Sequence, residues 1–330
     1  MHGRIEHFRC IIFLMTLWVT LILGSGSGFP QEAKEYPKKA INIIVPMPAG
    51  GGTDIPTRLV AKYVSEKWGV PINVINKPGA SSVTGVMEVL SAQADGYTLL
   101  GDGGSSSSLQ VGVVKTPYDV KDRTYMVRTL SFPMAYLVKG DSSYKNLKDV
   151  AEDVKRDPAN FVWGTASPSY AISLCLNQFF YAIRMDTAKT KKVMFSSGPQ
   201  IATAVAGGHV KFGNFAVNSS LPFIQAGKVR AVGIAFFERV KVLPDVATVA
   251  EQGFPEITGL AWVGMSGPVG LPKEVVEKWQ NIIEKANKDP QFITAAENIG
   301  TVPSYLPSQR FRDAVLREAE QSLMFQKLSK

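Results

Sequence analysis

The sequence predicts an α/β protein built as two lobes, on three observations. Short β-branched apolar runs alternate with helical patterns from Ile41 onward. Three strand–helix steps fall within about sixty residues, which argues for parallel strands joined by crossover helices. A strand, a small polar loop and a helix start occur at 41–64 and again at 161–184, once per lobe. With 330 residues, 45% of them apolar and 19% charged, the chain is long enough for two full cores.

The first thirty residues stand apart. Arg4 and Arg9 precede an apolar run from Ile11 to Leu23, and Gly24-Ser25-Gly26-Ser27-Gly28 follows. That is the layout expected of a cleaved secretory signal peptide over residues 1–28, which would export the protein, with an uncleaved anchor as the alternative. The run is shorter than the roughly 20 apolar residues of a membrane span. Cys10 lies before the apolar run, where a lipid-anchoring cysteine would lie after it.

Behind the signal remain one cysteine, Cys175, and one histidine, His209. No intramolecular disulfide can form, and a metal site of His and Cys lacks ligands. Cys175 reads as a small core residue in an apolar helix, and His209 as a polar turn residue with no triad partner marked for it. No cofactor is expected. The net charge is +8, but lysines and arginines are scattered singly, so nucleic acid is not the expected partner.

In order, the strand Ile41–Val45 enters the bend Pro46-Met47-Pro48-Ala49-Gly50-Gly51-Gly52-Thr53-Asp54, and a helix leaves at Pro56. Glycines let backbone N–H groups approach a ligand, and the helix start adds positive potential: an anion nest. The plain alternative is a tight turn after a first strand. Asp54 reads as a helix cap or an acid that orders the loop, in preference to a ligand contact. A second strand, Ile72–Ile75, a helix at about 82–91 and a third strand, Tyr97–Leu100, follow. The run Gly101–Ser108 then offers hydroxyls, Ser105 and Ser106 among them, at a strand end where open sheets place ligands. Such a run is otherwise a solvated linker.

Phe132–Val138 reads as one strand crossing into the second lobe. Helix Leu147–Arg156 and strand Phe161–Trp163 lead to the second small polar loop, Gly164-Thr165-Ala166-Ser167-Pro168-Ser169, and a helix to about Arg184. Strand Val193–Phe195, the loop Ser196-Ser197-Gly198-Pro199 with its helix, strand Val210–Val217 and helix Ser219–Ala226 continue the alternation. Val229–Phe236 reads as a strand returning toward the first lobe. A short helix at Thr248–Gln252, a strand near 260–265 and helices at Pro272–Lys288, Pro290–Ile299 and Pro307–Leu328 close the chain.

With these landmarks placed, the sequence resembles the extracytoplasmic solute receptors of tripartite tricarboxylate transporters, the TctC or Bug-type receptors. The resemblance rests on Tyr36-Pro37 with Ile41 to Pro46, on Ala49–Asp54 with Arg58, on Asn76-Lys77-Pro78-Gly79-Ala80 and on Ala94–Leu99. Ala226–Ala231, Leu243–Thr248, Glu251-Gln252-Gly253, Gly267-Pro268 and Leu271-Pro272 extend it over essentially the whole mature chain. It implies a two-lobe periplasmic-binding-protein type II fold with two crossovers and the ligand in the interlobe cleft. Lobe 1 would be 29–132 with 251–330, and lobe 2 would be 133–250. It further implies a monomeric, non-catalytic receptor that captures a small organic carboxylate and delivers it to membrane permease subunits. Carried over, Ala49, Gly50, Gly51, Gly52, Thr53 and Asp54, with Pro48 beside them, form one contact loop. Thr165, Ala166, Ser167 and Ser169 form the other, with Ser105, Ser106, Ser197, Gly198 and Asn214 completing the expected ligand set.

The chain departs from the family at Pro168, Tyr170, Lys211 and Phe195–Gly198. Phe195, Lys211 and Asn214 either tune selectivity or are unrelated surface and core changes. Two other function classes share these features: a ligand-sensing partner of a signalling system, and a secreted α/β enzyme using the glycine loop for an anionic substrate. The loop lacks both the G-x-G-x-x-G spacing and the P-loop lysine.

Overall fold

The computed structural model describes residues 36–109, 115–167, 170–259 and 261–328, with side chains described as far as Leu323. The expected signal peptide with Cys10, and the expected contact Ser169, lie outside the described residues.

Eleven strands among the described residues form two mixed sheets. The first has β1 (Ile41–Val45), β2 (Ile72–Asn76), β3 (Thr98–Asp102), β4 (Thr124–Phe132), β10 (Ala261–Gly267) and β11 (Val302–Pro307), in the order β11-β4-β10-β3-β1-β2. The second has β5 (Met134–Lys139), β6 (Val162–Thr165), β7 (Lys191–Met194), β8 (Phe212–Ala216) and β9 (Val229–Ala235), in the order β7-β6-β8-β5-β9. The chain passes from β4 to β5 through Pro133 alone, and it returns to the first sheet after β9.

The expected parallel pairing holds where helices make the crossovers, at β1 with β2 and β3 and at β6 with β7 and β8. The strands that carry the chain between halves pair antiparallel instead: β10 with β3 and β4, β11 with β4, and β5 with β8 and β9. The single strand expected over Phe132–Val138 is two, because Pro133 lacks the N–H a continuing ladder needs. The strand expected to return toward the first lobe, β9, is an edge of the second sheet. The helix expected at Thr248–Gln252 is a set of turns closed by Glu251 and Thr248, which hydrogen-bond each other's backbone N–H groups.

Helices cover these sheets: α1 (Asp54–Trp68), α2 (Val83–Leu90), α3 (Leu147–Arg156), α4 (Ala171–Ala182), α5 (Gly198–Ala206), α6 (Val217–Gln225), α7 (Lys273–Ala286), α8 (Pro290–Asn298) and α9 (Ser308–Leu328). α7 shows why the pattern is legible: Val275, Val276, Trp279, Ile282, Ile283 and Ala286 share its buried face. Trp279 meets Trp68 of α1 edge-on at 4.9 Å, and burying a side chain of that size contributes about 2–3 kcal/mol. α1 ends on Gly69 at φ 69°, a left-handed cap that glycine adopts without a Cβ clash. α3 starts on Asn146, whose side chain accepts from the N–H groups of Lys148 and Asp149. In the second half, Tyr136, Phe179, Phe212 and Phe161 form an aromatic core, with Tyr136 and Phe212 stacked at 5.6 Å. Cys175 lies in it, fully buried and free, and its burial pushes the thiol up to about 12.

Candidate functional site

A cavity of about 60 Å³ lies between the two sheets. From the first half it is lined by Met47, Pro48, Gly51, Gly52, Thr53, Ser105 and Phe132. From the second come Met134, Tyr170, Ala171, Ile172, Ser197, Gly198, Pro199, Phe215 and Ala216. None of these side chains is charged.

Chain order explains what the cavity offers. Thr53 caps the start of α1, Tyr170 that of α4, Ser197 that of α5 and Ala216 that of α6. Four helix N-termini therefore open onto one small space. Each brings the positive end of a peptide dipole, although in α1 the Asp54 and Ile55 N–H groups already bond the Gly51 carbonyl and in α6 the Val217 N–H bonds the Pro133 carbonyl. Apart from the Ser105 hydroxyl the rest of the lining is apolar, chiefly Met47, Phe132, Met134, Ile172 and Phe215. A small solute with a negative end and an apolar body matches that surface.

The first loop is fixed from below. Asp54 is 2% exposed. Its Oδ2 accepts from the Gly50 N–H at 2.9 Å and from Arg58 Nε at 3.1 Å, and its Oδ1 from Asn76 Nδ2 at 2.9 Å. Asn76 Nδ2 also reaches the Met47 carbonyl at 3.1 Å. Asp54 thus orders the loop and faces away from the cavity, while Thr53 caps α1 with no side-chain hydrogen bond. Gly50 takes φ 73° at the crest of the bend. Gly52 must be glycine for a different reason: a Cβ would stand 2.8 Å from the Phe132 ring and 2.9 Å from Ala216.

The Gly/Ser run after β3 is a folded element. Buried Asp102 accepts from Arg123 at 3.0 Å, Ser266 at 2.7 Å, Ser106 at 2.7 Å and the Gly103 N–H at 2.9 Å. Ser106 is consumed in that network. Ser105, one residue earlier, faces the cavity, and its Oγ takes the Ala171 N–H at 3.4 Å.

Of the expected contacts, Pro48, Gly51, Gly52, Thr53, Ser105, Ser197 and Gly198 line the cavity. Ala49 and Gly50 lie on the outer crest, and Asp54 and Ser106 sit in the supporting networks just described. Thr165 and Ala166 are buried behind the second loop, where Ser173 Oγ joins the Thr165 hydroxyl and donates to the Ala166 and Ser167 carbonyls. Ser167 turns to Ser81 across the halves, Oγ to Oγ at 3.1 Å. Asn214 lies fully buried in β8, its amide without a partner among the described residues. Lys211 is also away from the cavity: its Nζ meets Asp153 Oδ2 at 3.0 Å.

The expected ligand set omitted Met47, Phe132, Met134, Ala171, Ile172, Pro199, Phe215 and Ala216, and also Tyr170, which the sequence marked only as a departure from the family. Five of these, Tyr170, Ala171, Ile172, Pro199 and Ala216, sit at or one to two residues past a helix cap, so counting caps would have found them. The apolar remainder carried no mark that separates wall from core.

Further contacts join the halves around the cavity. Asn218 Nδ2 donates to the Gly52 carbonyl at 2.9 Å. The stretch Ala80-Ser81-Ser82 holds φ of 45°, 53° and 82° without a glycine, a conformation that persists only where surrounding contacts hold it. Ser81 bonds Ser167, and Ser82 Oγ reaches Met47 Sδ at 3.5 Å.

The sequence model of the tripartite tricarboxylate transporter family receptor (TctC) matches residues 57–324. Among solved structures, one described as a periplasmic transporter is 31% identical, covers 88% of this chain and 97% of its own, and superimposes with a TM-score of 0.83. The periplasmic binding protein BugD is 26% identical, with 89% and 98% covered and a TM-score of 0.81. MatC from Rhodopseudomonas palustris, solved with bound malate, is 26% identical, with 87% and 99% covered and a TM-score of 0.78.

Proposed function

We propose that this chain, which belongs to the tripartite tricarboxylate transporter family of receptors, captures a small organic carboxylate between its two lobes and hands it to a membrane permease. One observation carries the choice of ligand: four helix N-termini meet at a cavity that no charged side chain among the described residues lines. Backbone N–H groups and dipole ends hold an anion without a lysine or arginine. The malate bound by MatC supports the same class of solute. The lobes are taken as 29–132 with 251–330 and 133–250, turning about Pro133 and the stretch after β9 as solute enters and leaves. Residues 1–28 direct export, and the mature receptor acts as a monomer without catalysis.

Calorimetric and thermal titration with dicarboxylates, tricarboxylates, aromatic acids and acidic amino acids tests the reading. At least one carboxylate should bind at one per chain and raise the melting temperature, and silence from the whole panel would refute it. Gly51→Leu points its side chain beside the Pro48 carbonyl at the cavity rim. It should abolish that binding while urea unfolding stays within about 1 kcal/mol of the parent.

A further inference from the structure

A second and larger cavity, about 550 Å³, shares no residue with the first. It too lies between the halves. α4 contributes Leu174 and Gln178, one and two turns beyond the residues it gives the first cavity, and the facing wall is Trp262 of β10 with α9. Its size falls in the range of small-molecule pockets, roughly 300–1,000 Å³.

Its chemistry is amphipathic. Trp262 and Phe311 meet edge-on at 5.0 Å in its apolar lining, which Leu109, Leu174, Ala314 and Val315 extend. Arg128 also lines it, its Nε engaged with the Ser304 carbonyl at 3.0 Å, and Arg317 adds a second guanidinium. Glu318 faces them. Its Oε2 accepts from Trp262 Nε1 at 2.7 Å, and burial raises its carboxyl above the usual range, which weakens it as a counter-charge. Gln178 is 8% exposed. Its Nε2 donates to Thr258 at 3.1 Å, while its Oε1 is buried without a partner among the described residues. A buried acceptor left unmet is destabilising, and a ligand's donor would relieve it.

We propose that this cavity is a second ligand site, for an aromatic organic anion that also carries an N–H or O–H donor. The ring lies against the apolar lining around Leu174 and Ala314, the anionic group meets Arg128 and Arg317, and the donor meets Gln178 Oε1. An occupant touches α4 on one half and α9 on the other, so it favours the arrangement of halves that closes the first cavity and strengthens solute binding there. The proposal does not rest on what the first cavity takes.

Anilinonaphthalenesulfonate, an aryl anion with an N–H, is the probe, and neutral N-phenylnaphthylamine is its control. The sulfonate should bind the purified receptor at one per chain, with its fluorescence enhanced. The neutral analogue should bind about tenfold or more weakly, a difference of about 1.4 kcal/mol. Ala314→Trp, which fills the cavity, and Gln178→Leu, which removes the acceptor, should each weaken the probe severalfold. Gly51→Leu should leave it unchanged. Dye binding that ignores both Ala314→Trp and Gln178→Leu would overturn the site, as would equal binding of the neutral analogue or loss in Gly51→Leu. If Ala314→Trp does not fold, Gln178→Leu decides alone.

Discussion

The loops that face each other across the first cavity follow one plan, strand then small residues then helix, and are held in different ways. The loop at 46–54 is fastened by one carboxylate. Asp54 ties the Gly50 N–H, Arg58 and Asn76 together beneath the bend. The second side is divided. Thr165–Ser167 is pinned from behind by Ser173, and the surface offered to solute comes instead from the starts of α4, α5 and α6. A single buried acid gives the first loop a fixed shape, whereas the second wall takes its shape from how three helices pack on one sheet. Damage should therefore be local on the first side and spread through the packing on the second.

The largest effect is expected on the packed side. A Cβ on Gly198 would stand 1.6 Å from the buried Phe215 ring, so Gly198→Val should cost about 3 kcal/mol or more in urea unfolding, and solute binding with it. A fold that tolerates it would mean the second wall is looser than described. On the first side, Asp54→Ala strands the Gly50 N–H and takes from Asn76 and Arg58 the acceptor they share. It should cost about 2 kcal/mol and weaken solute roughly tenfold by calorimetry. If affinity is unchanged, the bend does not need its fastening.

The smallest effect belongs to Lys211. Burial alone would raise the Asp153 carboxyl, but hydrogen bonds from Tyr144 and Lys211 and the charges of Lys211 and Arg156 hold it below its usual range. A carboxyl depressed on folding stabilises above its unfolded value, and that contribution is lost as pH falls through the depressed value. Lys211→Met should cost under about 1 kcal/mol at neutral pH, the lysine being 44% exposed. The loss should shrink as acid titrates Asp153, with solute affinity unaltered. Altered affinity would return Lys211 to the cavity.

α7 was legible because its burial follows the helical period, and β1 because it is an unbroken β-branched apolar run closed by Pro46. β4 was not, because Thr124–Phe132 is buried on both faces and Arg128 and Thr129 interrupt the apolar run. β11 escaped because Pro303 and Pro307 argue against a strand, and it tolerates them as an edge paired only to β4. At the site, the glycine bend was visible because backbone needs leave a mark in composition. Phe132, Phe215 and Met134 left none, since an apolar wall and an apolar core are written with the same residues. Ser106 and Thr165 misled for the converse reason: a hydroxyl in a small polar loop serves its own backbone as readily as a ligand.

The four convergent helix starts have an evolutionary consequence. The groups that would hold the anion belong to the main chain, so nearly any substitution leaves them in place. Variation is free to act on Met47, Phe132, Met134, Ile172 and Phe215 without touching charge recognition. Descendants of such a receptor can change their diet by remodelling hydrocarbon alone.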